Sequence, residues 1–153
     1  MTATDTQASR RAMATSGQLA TFRLDGDLYG VEVEHVQEVL RSQGLTRVPL
    51  APTAVAGLIN LRGQVVTAIE LRERLGRPPR PEGTDAVVIV VRLHGEAVSL
   101  LVDSIADVVD VDAADFEAPP DTLEGQAREL IRGAYKLDGQ LLLALDVHKA
   151  VSA

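Results

Sequence analysis

The chain has 153 residues, no cysteine, and 15 basic against 22 acidic side chains, a formal net charge of -7. Its length suits one domain or two small ones sharing a core, and the missing cysteines exclude disulfides and thiolate metal sites. The negative balance disfavours nucleic-acid phosphates as partners, and no apolar run reaches the ~20 residues of a membrane helix.

Residues 1–17 contain Arg10-Arg11 with no apolar segment behind them. This excludes a secretory signal and reads as a disordered tail, in a protein expected to be cytoplasmic. Residues 18–153 read as one domain dominated by strand signals. ATFRL places Phe22 and Leu24 on one face and Thr21 and Arg23 on the other, then Asp25-Gly26 turns the chain into LYGVEV. EHVQEVLRS fits two patterns: helical spacing of Val36, Val39 and Leu40, or a strand, one tight turn and a second strand. The second agrees better with the rest of the chain. GLINLRGQVVTAIELRERLG, residues 57–76, is a hairpin running into a short amphipathic segment. Residues 77–85, RPPRPEGTD, are a connector. AVVIVVRL is a β-branched run typical of a buried strand, and LIRGAYKL, Asp138-Gly139 and QLLLAL form a last hairpin.

The sequence repeats itself. Arg23–Val39 aligns with Arg92–Val108, matching Val33 with Val102, Glu34 with Asp103, Val36 with Ile105 and Val39 with Val108. Gly57–Leu75 aligns with Gly133–Val151, matching Gly63-Gln64 with Gly139-Gln140 and Glu70 with Asp146. The order is kept, and the second copy is lengthened by the acidic loop DAADFEAPPDTLEGQ. The repeats span about 19–76 and 86–151, each marginal alone and expected to share apolar surface, with exchange of strands between them left open.

Features common to both copies are most simply explained by folding. Gly26, Gly63, Gly95 and Gly139 stand at hairpin tips that need positive φ. Glu70 and Asp146 precede LRERL and VHKAV, where a carboxylate caps a helix start. Differences between copies are where function can reside. Asn60-x-Arg62 becomes Lys136-x-Asp138, and an arginine before a tip glycine is an unusual choice. It is either a solvated turn residue or a guanidinium paired with a carboxylate beside a partner surface, and Glu38 is the carboxylate nominated.

No signature of catalysis emerges. His35, His94 and His148 are widely separated and lack metal-ligand spacing, so they read as separate surface residues. The serines lack a nucleophile-elbow pattern, and there is no phosphate-binding glycine loop. Aromatic residues make up 3% of the chain, too few for a base-stacking platform. The expectation is a non-enzymatic interaction protein without cofactor or metal.

The segment GLINLRGQVVTAIELRERLG resembles the signature of the CheW family of chemotaxis coupling proteins, close to G-x-x-N-L-R-G-x-V-x-P-V-I-D-L-R. YGVEVEHVQEVL, LTRVPLAPTAVAGLINLRG, VVIVVRLHG and LLVDSIADVVDV follow in the family's order, so the resemblance covers roughly Leu19 to Val151. Thr67-Ala68 departs from the usual Pro-Val. The resemblance implies an all-β protein of two SH3-like five-stranded β-barrel subdomains with short helices. It implies an adaptor that binds methyl-accepting chemotaxis receptors and the regulatory domain of the CheA histidine kinase, recruited to membrane receptor arrays without inserting. By motif, the receptor groove would include Val36, Glu38, Ile105 and Val108, the kinase face Leu45, Thr46, Gly57 and Val65, with Arg62 near both. Alternatives are a coupling protein of a non-flagellar pathway and, from another class, a barrel holding a small ligand between its halves. A module cut from a larger kinase or hybrid receiver protein is disfavoured by the start at Met1 and the short tail after Val151.

Overall fold

The computed structural model describes residues 17–41, 45–46, 54–81 and 84–152. The tail expected over residues 1–17, apart from Gly17, lies outside the described residues, as do residues 82–83 of the connector. Strands dominate. β1 (Gly17–Leu24) and β2 (Asp27–Glu32) form the first hairpin, and a 3-10 turn at Val33–His35 leads into β3 (Val36–Arg41). Over its described residues, 34–41, the ambiguous EHVQEVLRS is therefore a tight 3-10 turn and a strand, not an α-helix. β4 (Leu45–Thr46), β5 (Val55–Leu61) and β6 (Gln64–Glu70) follow, then the single-turn helix α1 (Leu71–Arg74). The second copy gives β7 (Val87–Leu93), β8 (Glu96–Val102), β9 (Ser104–Val111), β10 (Phe116–Glu117), β11 (Ile131–Leu137) and β12 (Gln140–Leu145). α2 (Gly125–Leu130) precedes β11, and α3 (Val147–Val151) ends the described chain. The sequence did not anticipate α2, the two-residue strands β4 and β10, or a 3-10 turn at Ala113–Asp115 inside the acidic stretch read as a loop; α2 buries only Ala127 and Leu130, too few positions for a legible period.

The strands form two six-stranded sheets, ordered β10-β11-β12-β2-β1-β9 and β3-β7-β8-β6-β5-β4. The expected pair of related β units is present, each carrying a two-residue strand, β4 or β10, at one end. The repeats are not the spatial units. The β1–β2 hairpin of the first copy sits among strands of the second, and β7–β8 of the second sits among strands of the first. β2 is clamped parallel to β12 (Tyr29 opposite Leu143), and β8 parallel to β6 (Leu100 opposite Ile69), so the exchange is reciprocal.

Period-2 alternation divides the apolar residues among three clusters. In β7, Val88 and Val90 pack with Ile59, Ala68 and Leu101 inside the second sheet. Ile89 and Val91 point the other way, into a central cluster with Phe22, Tyr29 and Val31 of the first sheet. In β12, Leu142 and Ala144 pack with Leu19, Leu28 and Tyr135, while Leu143 and Leu145 join the central cluster. That is why AVVIVVRL carries no polar face: both sides of the strand are buried. Exchange makes this central cluster large, since each hairpin contributes one face to it, and neither half could retain its core alone.

The local signals fall where the sequence placed them. Gly26, Gly63, Gly95 and Gly139 have φ of 87, 84, 82 and 76°. Glu70 caps α1 by accepting from the Arg72 backbone N–H, and Asp146 caps α3 by accepting from that of Lys149.

Candidate interaction surface

The β5–β6 turn closes between Leu61 and Gln64, with Arg62 at φ 53° and Gly63 at φ 84°. Asn60 Oδ1 accepts from the Gly63 N–H at 3.0 Å, which explains the asparagine as a turn-closing group. Arginine is a poor occupant of the left-handed region, where asparagine, aspartate and glycine sit more easily. What it gains there is an ion pair: Arg62 Nη2 lies 2.9 Å from Glu38 Oε2. Glu38 belongs to β3, at the far end of the sheet from β5, with β7, β8 and β6 between them. The sheet therefore curls until a hairpin tip from one side reaches the strand at the other. Neither repeat partner can reproduce the bridge, because Asp138 and Asp107 both carry negative charge.

Exposed apolar side chains flank this bridge and recur by repeat. Val39 on β3 and Val108 on β9 are repeat partners, and so are Val65 on β6 and Leu141 on β12; all four are exposed, Val65 at 61% and Val108 at 56%. Ile105 is exposed on β9, whereas its partner Val36 is half-buried against the central cluster. β3 and β9 stand at the ends of their sheets. Val36 and Glu38 thus lie on one edge strand, and Ile105 and Val108 on the equivalent strand of the other sheet. Sequence reasoning overlooked Val39 and Leu141, although the repeat partners Val108 and Val65 were the available signal.

Among the residues nominated at β4, Thr46 is opposite Leu58 and in register with Thr67, which puts it on the outer face that Val65 shares with Asn60. Leu45 is opposite Ile59, on the other face, but stays exposed at the edge. Gly57 is buried and offers no surface. A Cβ there would run into the Thr46 carbonyl and Leu45 Cδ1, so glycine lets β4 close over β5. Gly133 does the same beneath Phe116 and Glu117 of β10. The copies then diverge: Phe116 packs edge-on to Tyr135 with centroids 5.1 Å apart, while its counterpart Leu45 remains available to solvent.

A second polar cluster joins the connector to both sheets, and sequence reasoning missed it. Arg72 on α1 is buried and donates from Nε and Nη2 to Asp103 at 2.8 and 2.6 Å, and from Nη1 to the Pro78 carbonyl at 2.8 Å. Arg80 donates to both Glu70 oxygens at 2.9 and 3.1 Å and to Asp103 at 3.2 Å. Asp103 also accepts from the Asp25 N–H at 2.9 Å, tying the β8–β9 junction to the β1–β2 tip. Burial by itself would raise the Asp103 pKa. The Arg72 hydrogen bonds, the Asp25 N–H and the charges of Arg72 and Arg80 outweigh it and hold the carboxyl below its ordinary value. Arg77 pairs with Asp27 and donates to Tyr29 Oη at 3.0 Å, so the proline-rich connector is a stitched seam. No described helix is long and apolar enough to cross a membrane.

Comparison with known proteins agrees with this geometry. A protein described as chemotaxis protein CheW from Treponema pallidum is 31% identical over 140 residues, covering 89% of this chain and 82% of that one. Another of that description, from Rhizobium meliloti, is 28% identical and covers 93% and 92%. The crystal structure of the scaffolding protein TtCheW from Thermoanaerobacter tengcongensis superposes with a TM-score of 0.79 at 28% identity, covering 91% of this chain and 94% of that one. The family model described as CheW-like domain matches residues 18–153. With the duplicated, hairpin-exchanged sheets already in view, the chain belongs to the CheW-like domain family.

Proposed function

We propose that this chain is a non-enzymatic, cytoplasmic scaffold of a chemotaxis pathway, coupling the cytoplasmic tips of chemoreceptors to the regulatory domain of a CheA-type histidine kinase. Relatives across its length are described as chemotaxis proteins, and its structural neighbour as a scaffolding protein. The observation that carries the reading is the arrangement around Arg62. An ion pair bridges a hairpin tip and an edge strand, with Val39 and Val65 exposed on the same sheet. Apolar side chains at strand ends, rimmed by charge, suit protein partners. Phe22, Tyr29, Ile69, Ile89 and Leu100 pack together between the sheets, which favours the scaffold reading over the small-ligand alternative.

On this reading receptor helices lie against Val36, Glu38, Ile105 and Val108, and the kinase domain meets Leu45, Thr46 and Val65, with Gly57 holding β4 in place. Each contact should be micromolar, roughly -8 kcal/mol, with arrays supplying avidity. Calorimetric titration against an isolated kinase regulatory domain and a receptor-tip fragment tests it. Val65→Glu should abolish the kinase contact and spare the receptor, and Val108→Glu should do the reverse. Failure of the wild type to bind either partner would overturn the reading.

A further inference from the structure

Among the described strands the chain passes from one sheet to the other at two places related by the repeat: at Glu34, between β2 and β3, and at Asp103, between β8 and β9. At the second, one carboxylate ties both sheets. Arg72 of α1, which continues β6 of the second sheet, grips Asp103 with two nitrogens at 2.8 and 2.6 Å. From the first sheet the Asp25 N–H donates to the same carboxylate at 2.9 Å, and the Asp103 N–H donates to the Arg23 carbonyl at 3.1 Å. The first crossover has no such clamp. The repeat puts His148 where Arg72 stands, yet among the described residues no ion pair joins His148 to Glu34, whose carboxylate lies beside Glu32 and His35. Nor are the histidines separate, as the sequence suggested: the His148 ring centroid lies 5.6 Å from that of His35 and 5.2 Å from that of His94.

We infer that Asp103, gripped by Arg72, is a positioning residue for the receptor contact, setting how the two receptor-facing strands stand to one another; this rests on the coupling role proposed above. Val36 and Glu38 lie on β3 of the second sheet, Ile105 and Val108 on β9 of the first. A receptor helix touching all four therefore meets the relative placement of the sheets. Asp103 immediately precedes β9. A guanidinium fork on a carboxylate fixes orientation as well as distance, and groups that bind together must be held to within about 0.5 Å. The connector braces the grip, since the Pro78 carbonyl accepts from Arg72 Nη1 at 2.8 Å and Arg80 donates to Asp103 at 3.2 Å. The kinase-facing Leu45, Thr46 and Val65 all lie on the second sheet and need no such alignment. The two contacts should respond differently to one substitution.

The test titrates the full chain with a receptor-tip fragment and, separately, with the kinase regulatory domain. Asp103→Asn should weaken receptor binding about tenfold or more and leave kinase binding within about twofold. Arg72→Lys, which keeps the charge but loses the fork, should fall between parent and Asp103→Asn. The chain has no cysteine, so spin labels at Val39→Cys and Asp110→Cys report the separation of β3 and β9. That distance should be narrowly distributed in the parent and shifted or broadened by Asp103→Asn. Unchanged receptor binding by Asp103→Asn would overturn the proposal, and so would equal loss of both contacts, which marks a general loss of structure. A parent chain that binds no receptor tip would sink the coupling role, a result distinct from failure of the clamp, which an unaltered label distance would show.

Discussion

Arg62 Nη2 and Glu38 Oε2 lie 2.9 Å apart although two strands of their sheet, β7 and β8, lie between β3 and the β5–β6 hairpin. The Arg62 side chain is 78% exposed, so the pair contributes about 0–1 kcal/mol to stability. Its value lies in fixing a guanidinium over an edge strand.

Arg62→Asp separates these roles. Aspartate suits the left-handed backbone better than arginine and restores an Asp-Gly tip, offsetting the lost ion pair. Thermal unfolding should shift by no more than a few degrees. Placed against Glu38, the new carboxylate should weaken at least one partner contact about tenfold or more, because a charge-assisted bond shielded in an interface contributes roughly 1.5–3 kcal/mol. Unchanged binding to both partners would make Arg62 a turn residue only.

The paired glycines give a comparison internal to the molecule. Gly57→Ala and Gly133→Ala each drive a methyl into backbone, Thr46 in one case and Glu117 in the other. Each should cost about 1–3 kcal/mol, a fall of several degrees in Tm. Only Gly57→Ala displaces the strand carrying Leu45 and Thr46, so only it should also weaken kinase-domain binding in titration.

The Arg72–Asp103 pair makes stability depend on acid. The Asp103 pKa is depressed in the folded state. Its contribution is therefore complete above the unfolded value of about 3.9 and is lost as pH falls below it. Denaturant melts from pH 6 down to about pH 3 should show that loss, and Asp103→Asn should flatten the decline while lowering stability at pH 6. Arg72→Met should cost about 2 kcal/mol, because it strips the main partner from a largely shielded carboxylate.

Local features were legible because local chemistry decides them. The tip glycines, the Glu70 and Asp146 caps and the two-sided burial of AVVIVVRL each follow from a few neighbouring residues. Even the Arg62–Glu38 pair could be nominated, since an arginine breaking the repeat needs a carboxylate. The hairpin exchange could not be read. Alternation along β2 or β8 says which residues are buried, but not that β12 or β6 is the parallel neighbour. The approach of the His148 ring to those of His35 and His94 and the Arg72–Asp103 seam were hidden for the same reason: these positions, far apart in the chain, meet only once the sheets pack.

The coupling role is tested most directly by sedimenting receptor-bearing membrane vesicles with the histidine kinase, with and without this protein. If the chain bridges the two, kinase should pellet with the vesicles only when the protein is present, and Val65→Glu should abolish that dependence while the variant itself still pellets. A kinase distribution that is the same with and without the protein would contradict the account.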